Sequence, residues 1–360
     1  MTMDKTRMYD YFLPAEWHPQ SGIQLTWPHD MTDWKPYLDR ITATFVDMAR
    51  IIAAREKVVI VSPDTAAVKS LLAKELPEEM QPNLLYFTCD TNDTWARDHA
   101  FVTLLRSPQS EKPVSDAKLL DFRFNGWGKK FEADKDNAIN CVLYSQGAFE
   151  GVMEDHLDFV LEGGAIESDG HGTVFTTSQC LLAPHRNQPL DRNRIEKQLK
   201  QRLCADRIVW LDHGSLIGDD TDGHIDTIVR VAPSNTLLYI RCEDKNDEHF
   251  GDFKALEEQL KALRTPGGHP YRLLPLPLPD AIYDDGERLP ATYANFLIIN
   301  GAVIYPTYAQ PDKDEQARRQ IQLAFPDREI IGVDARTVIR QHGSLHCLTM
   351  QFPAGVIREG

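Results

Sequence analysis

Cys347 closes the segment Gln341-His-Gly-Ser-Leu-His-Cys347, which follows a short apolar run at Ile330–Val333. A cysteine attacks only as its thiolate, and at an ordinary pKa of about 8.5 it gains from an activating group or a cationic substrate. Most cysteines are buried structural side chains, so Cys347 becomes a candidate only through partners distant in sequence. His346 is a poor one on spacing, because neighbouring side chains of an extended segment face opposite ways. His224 and Asp226, at the end of Gly218-Asp-Asp-Thr-Asp-Gly-His-Ile-Asp226, share one face if that segment is extended. The imidazole can move protons and the carboxylate can hold a cation. Both residue types also ligate metals, but no second His or Cys motif accompanies them. The acidic run Asp219, Asp220, Asp222 reads equally well as a solvated loop.

Two further clusters belong with these. Glu162 precedes Gly163-Gly164 at the end of an apolar run, where glycines let backbone approach a ligand closely. Asp98 ends Asn92-Asp-Thr-Trp-Ala-Arg-Asp98; there Trp95 supplies a flat apolar wall and Arg97 is placed to hold a carboxylate rather than touch substrate. The inventory is one thiol, one imidazole and three carboxylates. A guanidinium is planar, cationic and rich in N–H donors, so paired carboxylates match it. A thiolate can attack its central carbon while an imidazole moves protons, with no metal required.

The elements that must position these groups alternate along the chain. Ile41, Phe45, Met48 and Ile52 fall on one helical face, as do Phe253, Leu256, Leu260 and Leu263. Further helices are expected near 65–76, 132–147, 192–203 and 313–324. Strand-like runs follow at Val58–Val61, Leu84–Phe87, Phe159–Leu161, Ile208–Leu211, Tyr271–Leu274 and Ile330–Val333. Others fall at Ile23–Trp27, Phe101–Leu105, Thr236–Ile240 and Phe296–Ile299. The polar clusters come just after several of these runs, where α/β proteins usually carry their sites. The loop-like patches 106–116 and 264–270 are too short to be linkers. The expectation is an α/β fold in one domain, 1–360, of repeated β/α modules; periodicity does not choose among an open sheet, a barrel and a propeller.

Composition narrows the class. Lys plus Arg number 39 against 54 Asp plus Glu, a net charge of −15. This argues against nucleic acid, which is bound through basic residues, and suits a cationic ligand. Six scattered cysteines form no Cys-x-x-Cys pair, which fits a reducing compartment. No signal-peptide or membrane-spanning run is present, so a cytoplasmic protein without membrane association is expected. Homo-oligomerisation is left open.

With these motifs assembled, the chain resembles the agmatine deiminase and bacterial, Porphyromonas-type peptidylarginine deiminase family. The resemblance rests on Pro14-Ala-Glu-Trp17, Thr26-Trp-Pro-His29, Asp93-Thr-Trp-Ala-Arg-Asp98, Leu161-Glu-Gly-Gly164, Asp219-Asp-Thr-Asp-Gly-His-Ile-Asp226, Tyr293-Ala-Asn-Phe296 and His346-Cys347-Leu-Thr349, seven motifs in the family's order. It implies a five-bladed α/β propeller of pseudo-repeated ββαβ modules with a central site and no cofactor. It also implies hydrolysis of agmatine to N-carbamoylputrescine and ammonia, a step of putrescine biosynthesis. By resemblance, Cys347 is the nucleophile and His224 the general acid/base. Glu162, Asp98 and Asp226 orient the guanidinium, Glu162 sharing in proton transfer, and Trp95, Asp220 and Asn295 are further substrate contacts. One departure stands beside the nucleophile: Gln341-His-Gly-Ser-Leu345 replaces the glycine run usual in agmatine deiminases. Peptidyl-arginine or free arginine are the alternative substrates, and a non-catalytic guanidine binder and a metal hydrolase are the alternative classes.

Overall fold

The computed structural model describes residues 9–108, 110 and 115–358; part of the 106–116 patch and most of the N-terminal segment lie outside them. Among the described residues, five sheets of three or four strands and one two-stranded hairpin form a mixed α/β architecture.

The five sheets share one pairing pattern. A lead strand runs antiparallel to a second strand, and the second runs parallel to a third across a helical connection. The lead strands are Val102–Arg106, Ile166–Ser168, Val229–Ala232, Leu297–Ile299 and Thr349–Pro353. Their antiparallel partners are Ala117–Arg123, Thr173–Thr177, Thr236–Arg241, Ala302–Thr307 and Gln20–Thr26. The crossover helices include Leu38–Ala53, Arg192–Arg202, Phe250–Ala262 and Pro311–Ala324. Each presents an apolar face to the sheets: Ile41, Phe45, Met48 and Ile52 are fully buried, as are Ile195 and Leu199. Parallel pairing needs such a crossover, and burial on two faces explains why Val58–Val61 is apolar throughout.

Every helix expected from periodicity is present, but one is cut short. Within 132–147 only Ile139–Ser145 is α-helical, preceded by a single 3-10 turn at Asp136–Ala138. Asn92 Oδ1 accepts from the Lys135 and Asp136 N–H groups, and Asp136 accepts in return from the Asn92 and Asp93 N–H groups. Those tertiary bonds take groups that a longer helix would use itself. No helix among the described residues is long and apolar enough to cross a membrane. All six cysteines are free thiols.

Candidate active site

Apart from Asp220, which lies in the loop further upstream, the expected site residues stand in short turns just before a lead strand. Asp98 lies in the one-turn helix Ala96–His99, capped by Trp95, ahead of Val102–Arg106. Glu162 caps the 3-10 turn Gly163–Ala165, ahead of Ile166–Ser168. His224 caps the 3-10 turn Ile225–Thr227 that carries Asp226, ahead of Val229–Ala232. Asn295 precedes Leu297–Ile299, and Cys347 lies in the turn before Thr349–Pro353. His224 and Asp226 therefore converge through a tight turn, not through the extended segment that their spacing suggested.

The turns are fastened together. The Arg97 N–H donates to the Cys347 carbonyl at 3.1 Å. Asn295 Oδ1 accepts from the His346 and Cys347 N–H groups at 3.0 and 3.3 Å, and from the Cys347 thiol at 3.4 Å. Its Nδ2 donates to the Asp226 carbonyl. Asn295, expected to be a substrate contact, thus fastens the turn that bears Cys347 through both ends of its amide. Gly164 lies at the centre: a Cβ there would meet His224 Nδ1 at 2.5 Å, Asp98 Oδ1 at 2.9 Å and Asp226 Oδ2 at 3.1 Å.

Asp98 is held by Trp127 Nε1 at 2.9 Å and the Gly164 N–H at 3.0 Å. Arg97, expected to hold a carboxylate, instead donates from Nε to the His346 carbonyl and from Nη1 to Met350 Sδ. Glu162 Oε1 accepts from Arg186 Nε at 2.7 Å, and Arg186 continues to Asp222 and the Thr221 carbonyl. The acidic run divides its work. Asp219 caps its own loop through Thr221 and Gly223, Asp222 meets Arg186 and Lys130, and Asp220 lines the pocket.

That pocket, about 210 Å³, reaches Cys347 and Asp98 at its floor. Trp95, Trp127 and Phe131 wall it, and Asp33, Asp93 and Asp220 add negative charge. Gln341, His342 and Gly343 complete it from the departing loop. His342 adopts a left-handed backbone at φ 63°, and its ring Nδ1 lies 2.7 Å from the Gly218 carbonyl. Gly343 lies flat against Trp95, where a Cβ would sit 2.2 Å from the ring.

Several buried acceptors and donors here have no hydrogen-bond partner in the protein: Glu162 Oε2, both ring nitrogens of His224 and Asp226 Oδ1. Buried polar atoms are paired in all but a few cases, so such a group calls for water, an ion or a ligand as its partner. Burial, together with Asp226 and Asp98, pushes the Cys347 thiol well above its ordinary pKa. Burial would lower His224, but Asp98, Cys180 and Glu162 overcome it and raise the imidazole well above its usual value. Burial raises Asp98; for Asp226 burial is the largest single influence and acts upward, but the His346 hydrogen bond and the electrostatic pull of His346, His224 and Arg230 together keep it below the usual range.

Among the described residues, two triplets have metal-ligand types within reach of one another, Glu162–Cys180–His224 and Glu16–Glu167–His346, each with its ligand atoms inside 4.8 Å. In the second, Arg230 already bonds Glu16 and Glu167, so its charges are matched within the protein.

Trp127, Phe131, Asp33 and Arg186 escaped the sequence reading. Trp127 had a local signal in Asn125-Gly-Trp-Gly128, whose last three residues take φ of 65°, 53° and 85°; two glycines around a tryptophan announce a sharp turn that displays the ring.

With this geometry in hand, three comparisons are informative. The structure of the "Putative Arginine Deiminase" from Porphyromonas gingivalis superposes with a TM-score of 0.90, at 50% identity over 97% of this chain and 100% of that one. The agmatine deiminase of C. jejuni, as a cysteine-to-serine variant with substrate bound, gives 0.86, at 37% identity over 97% of each chain. The agmatine deiminase of Pseudomonas putida is 31% identical over 99% of this chain and all of its own. The family described as Porphyromonas-type peptidyl-arginine deiminase matches residues 12–353, and the chain belongs to that family.

Proposed function

We propose that the protein is an agmatine deiminase, hydrolysing agmatine to a ureido product and ammonia through a covalent bond to Cys347. The observation that carries this reading is the set of partnerless buried atoms on Glu162, His224 and Asp226, grouped with Asp98 around Gly164 and close to a thiol. A guanidinium, with N–H donors on every edge, satisfies such carboxylates.

Agmatine is favoured over arginine by the pocket's charge. Asp33, Asp93 and Asp220 line it together with apolar rings, and no Lys or Arg is among its described lining residues. The ammonium of agmatine suits those carboxylates, whereas an α-carboxylate would lie unpaired beside them at a cost of several kcal/mol. The free-arginine reading has behind it the name of the 50%-identical P. gingivalis protein, and the peptidyl-arginine reading the description of the matching family.

The electrostatics supports an ordered sequence of steps. Burial, together with the charges of Asp226 and Asp98, keeps the proton on Cys347 in the free protein; binding of the guanidinium offsets those charges and favours loss of that proton to solvent. The thiolate then bonds to the central carbon. The His224 imidazolium, favoured by its carboxylate surroundings, gives its proton to a terminal nitrogen, the C–N bond breaks and ammonia departs. The now neutral His224 takes a proton from water as its oxygen adds to the thiouronium carbon. The C–S bond breaks, and the proton lost from the new hydroxyl restores the thiol.

For the architecture, the five like-paired sheets, each led by a turn that carries a site residue, support a five-bladed α/β propeller in one domain with the site on its axis.

Purified protein incubated with agmatine, free arginine and a peptidyl-arginine tests the function through ammonia and the ureido product. The expected kcat/KM for agmatine exceeds that for arginine by about a hundredfold or more, roughly 2.7 kcal/mol. Comparable rates on both, or activity confined to peptidyl-arginine, would overturn the agmatine assignment.

A further inference from the structure

His346 was set aside on spacing, and neither it nor Glu16 of Pro14-Ala-Glu-Trp17 has a part in the chemistry above. Yet both are buried directly behind Asp226. His346 Nδ1 lies 2.7 Å from Asp226 Oδ2, and Nε2 lies 2.9 Å from Glu16 Oε2. Both carboxylates accept, so each ring nitrogen meets its partner as an N–H donor. The same Glu16 oxygen accepts from Arg230 Nη2, while Glu16 Oε1 accepts from the Ile298 N–H at 2.7 Å. Arg230 Nε bonds Glu167 Oε1 at 2.6 Å, and its Nη1 bonds the Ala294 and Phe296 carbonyls. The imidazole is therefore pinned from behind by a carboxylate that is itself fixed at both oxygens.

The result is seen at Asp226. Its Oδ2 is taken by His346 and stays 3.8 Å from the Cys347 sulfur, and its Oδ1 is left without a protein partner. A carboxylate with no such donor would rotate about its last bond and present either oxygen in turn. We propose that His346 is a positioning residue: braced by Glu16, it holds the Asp226 carboxylate in the one rotation that leaves Oδ1 free for the guanidinium. This rests on Asp226 binding the guanidinium, as the proposed function has it.

Glu16, Glu167, Arg97 and His346 also line a second cavity, of about 60 Å³, which Cys347 does not reach. Its wall mixes apolar side chains with polar atoms, Gln20 Oε1 and Gln351 Oε1 being buried and unpartnered there. Water in that cavity can reach Glu16 when the residue at position 346 no longer bonds it, and the variants below are expected to fold.

The test uses the Cys347→Ala protein, which binds without turnover, and measures Kd by calorimetry for agmatine and for L-arginine. In that background His346→Leu removes both donors, whereas His346→Asn keeps an N–H close to the Nδ1 position. Loss of one charge-assisted hydrogen bond predicts binding weaker by about tenfold or more for Leu, and recovery to within about threefold of the parent for Asn. Equal weakening by Leu and Asn, or parent-like affinity of the Leu variant, would overturn the role given to His346. A wrong substrate shows differently: the Cys347→Ala parent then binds L-arginine in preference to agmatine, and the same three-way comparison is read on that ligand.

Discussion

At the scale of single residues, Cys347 and Asp98 share the pocket floor, and Asp226 Oδ2 lies 3.8 Å from the Cys347 sulfur. Cys347→Ala removes the sulfur at the pocket floor and replaces a thiol by a methyl in a buried turn, a small packing change. Turnover should vanish with the fold retained, checked by ammonia release and by circular dichroism; a haloacetamidine should label Cys347 in the parent. Asp93 carries a second consequence. Burial pushes its carboxyl up to about 6, with the Asp33 charge adding to the rise and the Thr94 N–H and hydroxyl opposing it. Asp136 packs against its backbone. Above pH 6 Asp93 is ionised and attracts an ammonium; as pH falls through 6 it is protonated and the attraction is lost. KM for agmatine should therefore rise across that window, and Asp93→Asn should flatten the rise; an unchanged pH profile in that variant would place the effect elsewhere. Glu162 stood out as a candidate directly at the end of an apolar run, and Asp98, His224, Asp226 and Cys347 as reactive or charged types in polar segments that follow such runs. His346 was not, because its value lies in partners more than a hundred positions away.

At the scale of elements, the turns before the lead strands matter more than the strands that the periodicity revealed. Ile166–Ser168, Val229–Ala232 and Thr349–Pro353 went unseen, since strands this short and almost wholly buried show no alternation. The amphipathic helices were read correctly because a face of burial spread over 11 to 16 residues leaves a clear period. A polar cluster after one run was thus recognised without the strand that follows it and aims it. Gly164 tests how tightly those turns converge. An Ala Cβ would press on His224, Asp98 and Asp226 at once, the two carboxylates being held by other bonds, so the pocket must open or the guanidinium must shift. Gly164→Ala should lower kcat/KM by about a hundredfold or more, since sub-ångström misplacement of reacting groups has effects of that size. Near-normal kinetics would mean that the three turns yield independently.

At the scale of the whole molecule, a fully buried Arg230 joins parts of the chain that are remote in sequence, through Glu16, Glu167 and the Ala294 and Phe296 carbonyls. Arg230→Met fills similar space but leaves two buried carboxylates without their cation, a loss of about 3–5 kcal/mol. Urea unfolding should show stability lower by that amount; a midpoint within error of the parent would mean that the carboxylates protonate or find water instead. The fold class and the module pattern were legible, but this fastening was not, because nothing local marks which carboxylate an arginine will meet. The pairing of Thr349–Pro353 with Gln20–Thr26 extends the same theme. Ser21 and Phe352, bonded across that seam, are 331 positions apart, and the turn bearing Cys347 abuts it. Contacts so distant form late when a chain folds. Recovery of ammonia release from agmatine after dilution from denaturant should accordingly lag behind recovery of helical signal, which makes activity a clock for the last event of folding.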